Sequence, residues 1–250
     1  IDFLKQYQPD VIHLHNIHGC YLNHKLLFAY LRDANIPVFW TLHDCWPFTG
    51  HCAYFDYAGC DRWKTQCHTC PQKGSYPTCI GLDGCKRNYR RKRDFFANLP
   101  KLTLVAPCQW MQGLLAESFL RDVPNRLVYN GVNRDLFYPR ESKLRERYGI
   151  TQPFVALAIA SEWELRKGFG YLPALAEALS ATCKLVVVGL TDEQVKALPQ
   201  TILGITRTES TRELAQWYSA ADCLVNPTLE DNMPLVNLEA LACGTPVAVF

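Results

Sequence analysis

The sequence predicts an α/β protein made of two domains, each built on a parallel β-sheet. Short apolar runs that resemble strands alternate with helical patterns of about ten residues, and this alternation is typical of βαβ units. The alternation is interrupted by the polar segment 140–147 and restarts at Phe154. We therefore place a boundary near Pro139 and predict domains over 1–138 and 139–250. The length of 250 residues is sufficient for two small domains.

Apolar runs and amphipathic periodicity predict the individual elements of both halves. The expected strands of the first half are 10–15, 36–42, 102–107 and 126–129, and its helices are 21–32 and 110–119. The expected strands of the second half are 154–160, 184–189, 201–205, 223–227 and 246–250. Its helices are 171–180, 192–198, 213–220 and a short one opened by Pro234, with Gly244 and Pro246 marking its end.

Composition narrows the class of protein. The net charge of +2 makes nucleic acid an unexpected partner. No apolar run reaches the ~18 residues of a membrane span, and no signal peptide is visible. The chain starts with Ile1 and ends in an apolar run at Phe250, so we expect both ends to be cut from a longer protein. The size and the βα pattern favour a cytoplasmic enzyme.

A Cys-rich segment over about 45–93 breaks the βα rhythm and is predicted to be an insertion in the first domain. It holds seven of the twelve Cys residues and has little periodicity, so we expect something other than a core to order it. Three interpretations stay open: a structural zinc ion, reduced thiols packed among aromatic rings, and disulfide or redox chemistry. A tetrahedral zinc site takes four sulfur or nitrogen ligands. The candidate ligands are Cys52, Cys60, Cys67 and Cys70.

A basic run covers residues 86–93, at the end of this segment. One interpretation is the solvated face of a helix. The other is a patch that contacts a membrane surface or an anionic, lipid-linked acceptor.

Histidines gather at the predicted ends of the first two strands. Because ligands bind at the carboxyl ends of strands in open α/β sheets, these side chains could line one crevice. The candidates are His13, His15, His18, His43 and Asp44. The spacing of the first three also permits a metal site, although no carboxylate is placed to help.

Charged residues follow two predicted strands of the second half. Arg166 and Lys167 precede Gly168, which suits a diphosphate because cations lie beside backbone amides. The second group surrounds the helix opened by Pro234, with carboxylates at Asp231 and Glu239. Since a helix start carries partial positive charge, it can hold a phosphate while nearby carboxylates bind hydroxyl groups.

Several separated stretches carry motifs that agree with one another: 10–15, 41–44, 107–110, the Asn-Gly run at 130–133, 166–168, 218–222 and the acidic motif 231–239. Taken together and in this order, they resemble family 4 retaining glycosyltransferases of the GT-B fold, in the branch that includes colanic-acid and other exopolysaccharide enzymes. The resemblance implies two Rossmann-like domains facing a cleft, here both incomplete.

The resemblance also implies roles for individual residues. His43 and Asp231 would lie at the transferred sugar as the catalytic pair, although the family usually has Glu at the position of Asp231. Lys167, helped by Arg166, would bind the diphosphate, and Glu239 would bind the ribose. The positions that would face the sugar or phosphates through backbone amides are Asn232, Met233 and Leu235.

The function implied by the resemblance is transfer of a sugar, with retention of configuration, from a UDP-, GDP- or ADP-linked donor to a glycan or lipid-linked acceptor. Catalysis would need no metal or other cofactor, so zinc would be structural only. Surface polysaccharide biosynthesis is the expected process, in the cytoplasm or peripherally at the inner face of the membrane. The alternative is a non-catalytic scaffold of the same fold that binds a partner through the Cys-rich insertion.

Overall fold

Each half of the chain carries its own parallel β-sheet in the computed structural model, which describes residues 1–19, 21–79, 81–179 and 182–250. The first unit comprises residues 1–130 together with 231–233. The second unit comprises residues 131–230 and 234–250. The prediction of two parallel-sheet α/β units is confirmed.

The first unit has a four-stranded parallel sheet in the order β1-β2-β3-β4. Its strands are β1 (Ile12–Leu14), β2 (Val38–Thr41), β3 (Leu102–Ala106) and β4 (Asn125–Leu127). Its helices are α1 (Asp2–Tyr7), α2 (His24–Ala34), α3 (Cys85–Phe96) and α4 (Gln109–Glu117).

Helix α2 shows how local sequence sets these elements. Asn23 caps its start, because the Asn23 side chain accepts a hydrogen bond from the backbone N–H of Leu26 at 3.2 Å. The helix buries Leu27, Phe28 and Leu31. Its apolar stripe therefore lies in the core with the buried side chains of β2.

The Cys-rich segment contributes to the core of the first unit, contrary to the expectation that something else orders it. It contains three 3₁₀ turns at Trp46–Phe48, Asp56–Ala58 and Arg62–Lys64, followed by α3. Phe48, Phe55 and Trp63 are buried, and the rings of Phe55 and Trp63 stack with centroids 4.7 Å apart. Aromatic burial at irregular spacing carries no period, so periodicity alone did not reveal it.

The second unit has a five-stranded parallel sheet in the order β7-β6-β5-β8-β9. Its strands are β5 (Phe154–Ile159), β6 (Cys183–Val188), β7 (Ile202–Ile205), β8 (Cys223–Asn226) and β9 (Val247–Val249). Its helices are α5 (Leu144–Arg147), α6 (Leu172–Leu179), α7 (Asp192–Ala197), α8 (Thr211–Ala220) and α9 (Leu235–Ala242). The predicted last residue of the helix at 171–180, Ser180, lies outside the described residues.

The two units divide between residues 130 and 131, ahead of the predicted boundary near Pro139. Phe137 is buried in the core of the second unit, and Val132 packs against that core. Apolar contacts thus assign the segment after Asn130 to the second unit. Among the described residues, no helix is both long and apolar enough to cross a membrane.

Candidate functional site

In the second unit, the loops that follow β5 and β8 contact each other through their backbones. These two strands are parallel neighbours, so their carboxyl ends lie side by side. The N–H of Leu229 donates to the carbonyl of Arg166 at 2.8 Å. Gly168 has a φ of +75°, and a Cβ atom there would lie 2.0 Å from the carbonyl oxygen of Pro227. Only glycine fits this approach, which holds Lys167 beside the loop after β8.

The Arg166 side chain adds a second contact between these two loops. Its Nη1 atom donates to the carbonyl of Glu230 at 2.8 Å, and its Nη2 atom pairs with the carboxylate of Glu164 at 2.9 Å. The guanidinium therefore joins the two loops. The predicted role of Arg166 as a diphosphate ligand stays a prediction.

Glu239, the predicted ribose ligand, is positioned by Tyr218. The Tyr218 hydroxyl, which is fully buried in α8, donates to Oε2 of Glu239 at 2.7 Å. Burial raises the pKa of the Glu239 carboxyl, and the hydrogen bond from Tyr218 opposes that shift. A half-buried carboxylate with one oxygen fixed can offer the other to a hydroxyl pair such as that of a ribose.

Helix α9 is held at the end of β8 by a second polar contact. The Nδ2 atom of Asn226 donates to Oδ1 of Asn237 at 2.9 Å, and Thr228 donates to Oδ1 of Asn226 at 2.6 Å. Pro234 is the residue just before the helix, whose first residue, Leu235, is exposed. The N–H of Asn237 donates to the carbonyl of Pro234 at 3.2 Å, so the amides of Leu235 and Val236 are those that could bind an anion at this helix start.

His43 belongs to the first unit, at the carboxyl end of β2. Its Nε2 atom lies 2.8 Å from Nδ1 of His15, and Nε2 of His13 lies 2.8 Å from the hydroxyl of Thr41. Burial, followed by the charge of His15, lowers the pKa of His43. A neutral imidazole is favoured at neutral pH, and it can exchange hydrogen bonds with a sugar hydroxyl.

The other predicted crevice residues form a separate buried pair in the same unit. Nε2 of His18 lies 2.7 Å from Oδ2 of Asp44, and Oδ1 of Asp44 accepts the N–H of Trp46 at 2.9 Å. Asp44 therefore orients His18. The five predicted residues thus form two adjoining groups.

Residues 231–233 group with the first unit. The Nδ2 atom of Asn232 donates to the carbonyl of Leu42 at 2.8 Å, and the Cys108 thiol donates to Oδ1 of Asn232 at 2.7 Å. Oδ1 of Asp231 accepts the N–H of Asn232 at 2.8 Å. Asn232 is therefore bonded to the residue that precedes His43. The catalytic role of Asp231 stays a prediction.

The four predicted zinc ligands line one small cavity in the first unit, together with Cys85 and His68. The thiols of Cys52 and Cys70 are hydrogen-bonded, which lowers the pKa of Cys70 to about 7. The described part of the chain nevertheless contains no group of three or more His, Cys, Asp or Glu side chains placed to hold a metal ion. Every described Cys is a free thiol. The zinc site stays a prediction.

Sequence reasoning did not identify Tyr218 as a residue of the site, nor Lys92 as a buried side chain of the first unit. Tyr218 is separated from Glu239 by 21 positions, so no local spacing connects them. Lys92 lies within a basic run that resembled a solvated face, yet its side chain is only 7% exposed. The only sequence signal for Lys92 is that it lies on the same face of α3 as the buried Tyr89 and Phe96.

Comparison with known proteins gives a family match over the second unit and a relative that matches most of the chain. Residues 153–250 match the model of the family described as "Glycosyl transferases group 1". WcaC of Escherichia coli strain K12, whose name provisionally assigns it to colanic acid biosynthesis as a glycosyl transferase, is 28% identical over 96% of this chain. The chain spans 59% of the length of that relative.

Solved structures share the fold. Sucrose-phosphate synthase from Thermosynechococcus elongatus has a TM-score of 0.71 and 20% identity, covering 99% of this chain and 57% of its own. HepE of Anabaena, solved with UDP-glucose, has a TM-score of 0.63 and 18% identity, covering 99% of this chain and 62% of its own. These likenesses confirm the predicted GT-B fold class.

Proposed function

We propose that this protein transfers a sugar from a nucleotide-sugar donor to a hydroxyl group of a glycan or lipid-linked acceptor. The match of residues 153–250 to the glycosyl transferases group 1 family supports this proposal. The observation that carries the proposal is the arrangement of the second unit. There, the fixed Glu239 carboxylate and the loop of Lys167 occur on elements that follow neighbouring parallel strands. Ligands bind at this edge in open α/β sheets.

The donor in this proposal is a nucleoside diphosphate sugar linked to UDP, GDP or ADP. Glu239 binds the ribose hydroxyls, and Lys167 binds the diphosphate with the amides at the start of α9. The structural relative HepE was solved with UDP-glucose, which supports this class of donor. Arg166 acts by holding the Lys167 loop in place, because its guanidinium is bonded to Glu164 and Glu230.

The proposed chemistry is departure of the nucleoside diphosphate with retention of configuration. Negative charge develops on the leaving phosphate, and a lysine with a helix start stabilises such charge. Catalysis in this proposal requires no metal ion. The departing phosphate takes the proton of the acceptor hydroxyl, which attacks from the same face. His43 and Asp231 contact the transferred sugar.

The acceptor side of the proposal rests on the first unit. Polysaccharide biosynthesis is the proposed process, supported by the similarity to WcaC. Helix α3 exposes a row of basic side chains that would contact anionic lipid at the inner face of the membrane and leave the enzyme peripheral to it. The row consists of Lys86, Arg87, Arg90, Arg91 and Arg93.

The test is donor binding followed by donor consumption. Thermal-shift measurements with UDP, GDP, ADP and their sugars should show a raised midpoint for one nucleotide. Release of that nucleoside diphosphate should then be lost in Glu239→Ala and Lys167→Ala. The matched controls are Glu146→Ala and Lys196→Ala, which remove exposed charges of the same unit and should behave like the wild type.

Two results would contradict the proposal in different ways. Normal binding and turnover in Glu239→Ala and Lys167→Ala would show that the site assignment is wrong. No midpoint shift and no donor consumption with any nucleotide sugar would favour the non-catalytic scaffold.

A further inference from the structure

A large cavity in the first unit lies beside the histidine groups described above. Its volume is about 980 Å³. It is lined by the loop after β1, the start of α2, the 3₁₀ turn at Trp46–Phe48, residues 77–79 and one face of α3. His18 connects it to the site, because His18 lines the cavity and pairs with Asp44, the neighbour of His43 in the chain.

The lining of this cavity is cationic. Lys25, Arg91 and Lys92 contribute ammonium and guanidinium groups, and His18, His24 and His51 contribute imidazoles. Among the described residues, the lining includes no Asp or Glu side chain. A concave wall with charges of one sign concentrates ligands of the opposite sign.

Lys92 is the buried centre of this lining. Its Nζ atom donates to the carbonyl of Trp46 at 2.6 Å and lies 3.4 Å from the centre of the Trp46 ring. Burial lowers its pKa well below the usual range, and the charge of the buried Asp44 carboxylate, which pairs with His18, opposes that shift. A buried ammonium without a paired anion is costly. A ligand anion would add countercharge to that of Asp44.

The histidines add polar atoms to the same cavity. Nε2 of His51 is buried with no hydrogen-bond partner among the described residues. Nε2 of His24 lies 2.7 Å from the carbonyl of Ile17, which makes it the protonated nitrogen and leaves Nδ1 as the second polar atom. An oxygen-rich ligand can satisfy such atoms.

Aromatic rings and amides complete the lining. Phe95 and the exposed Tyr21 present rings, and Asn23 and Asn88 present amide groups. Aromatic rings pack against the C–H faces of sugar rings, while amides bind their hydroxyl groups. The combination with cations fits a sugar that carries an acid group better than it fits a bare anion.

We propose that this cavity binds a carbohydrate bearing a carboxylate or phosphate group, with the anion at Lys92 and Arg91 and the sugar ring against the exposed ring of Tyr21. The inference rests on the proposed function in one respect, since it assigns the bound carbohydrate as the acceptor. It adds the chemical class of that acceptor, an acidic sugar.

The test is binding without any nucleotide present, so that it does not depend on catalysis. Ligand-observed NMR titration would compare methyl glucuronide, glucose 1-phosphate and methyl glucoside. At least one anionic sugar should bind tenfold or more tightly than the neutral one. The tighter of the two identifies the acid group as carboxylate or phosphate.

Substitutions on one helix locate the binding site. Arg91→Met and Lys92→Met should each weaken binding at least tenfold, whereas Lys86→Met, an exposed position of α3 outside the cavity lining, should not. If the buried Lys92→Met variant fails to fold, the exposed Arg91 position decides.

Three outcomes would overturn the inference. They are equal binding of neutral and anionic sugars, full binding in Arg91→Met, and binding of inorganic phosphate as tight as that of glucose 1-phosphate. Any of these, found while donor consumption stays intact, contradicts the cavity assignment alone and leaves the proposed function standing.

Discussion

Replacing Gly168 with alanine should destabilise the second unit and displace the Lys167 loop. The backbone at Gly168 has a φ of +75°, and the added Cβ would lie 2.0 Å from the oxygen and 2.8 Å from the carbon of the Pro227 carbonyl. Both neighbouring atoms belong to the backbone, so no side chain can rotate away. One of the two loops must move.

The expected cost combines two effects. A left-handed backbone costs a non-glycine residue about 1–2 kcal/mol, and overpacking costs about 1–3 kcal/mol. The lower entropy of the unfolded alanine chain offsets about 0.4–1 kcal/mol. The net loss of stability should be about 2–4 kcal/mol. At roughly 3 °C for each kcal/mol, the thermal midpoint should fall by about 6–12 °C.

The assay is thermal and urea denaturation, followed by titration of the nucleotide that stabilises the wild type. Gly170→Ala is the matched control, because no atom lies within 4 Å of a Cβ added there and its φ is not positive. Gly168→Ala should bind the nucleotide about tenfold more weakly, which corresponds to about 1.4 kcal/mol. If both variants had the same midpoint and the same affinity, the close approach to Pro227 would not constrain the site.

Three further predictions concern a titrating carboxylate, a buried ring and the thiol cavity. The pKa of Glu239 is raised in the folded protein, so its protonated carboxyl favours the folded state. This contribution to stability is fully present below the pKa of Glu239 in the unfolded chain, and it is lost as the pH rises through the pKa in the folded protein. Glu239→Gln should therefore gain stability relative to the wild type between about pH 4 and about pH 7; urea midpoints at the two pH values measure this, and an unchanged difference would contradict it. Phe28→Ala removes a fully buried ring whose centroid lies 4.5 Å from that of Phe96 and should cost about 3–5 kcal/mol in urea denaturation, so a loss below about 1 kcal/mol would refute this packing argument. Elemental analysis of protein purified without added metal should find about one equivalent of zinc if the thiol cavity is a structural site, and less than about half an equivalent would eliminate that hypothesis. The four thiols of the predicted zinc site are those of Cys52, Cys60, Cys67 and Cys70.

The sequence alone was sufficient for the fold class and for most elements. Apolar runs such as 154–160 and 184–189 became β5 and β6 because a strand covered on both faces must be apolar throughout its length. Pro234 and Gly244 marked the limits of α9 to within a few residues, since proline and glycine act on local backbone geometry. Such local effects can be predicted without knowing which other segments of the chain pack against the element.

The sequence also provided most candidate residues, because the resemblance that named Lys167 and Glu239 is a property of linear motifs. It did not show what positions them. The contact of Tyr218 with Glu239 and the approach of Gly168 to Pro227 join segments that are far apart in the chain. These contacts follow from sheet order, which places β8 beside β5.

Tertiary structure alone decided the character of the Cys-rich segment and of the basic run. Phe48, Phe55 and Trp63 are buried without any periodic spacing, so only their packing shows that the segment belongs to a core. Lys92 looked like one more surface charge, yet the folded chain buries it against the Trp46 ring. Whether a side chain is buried depends on which segments pack together, whereas residue type determines only the free energy of burying it. The motifs thus came from the sequence, and the environment that gives them their chemistry came from the fold.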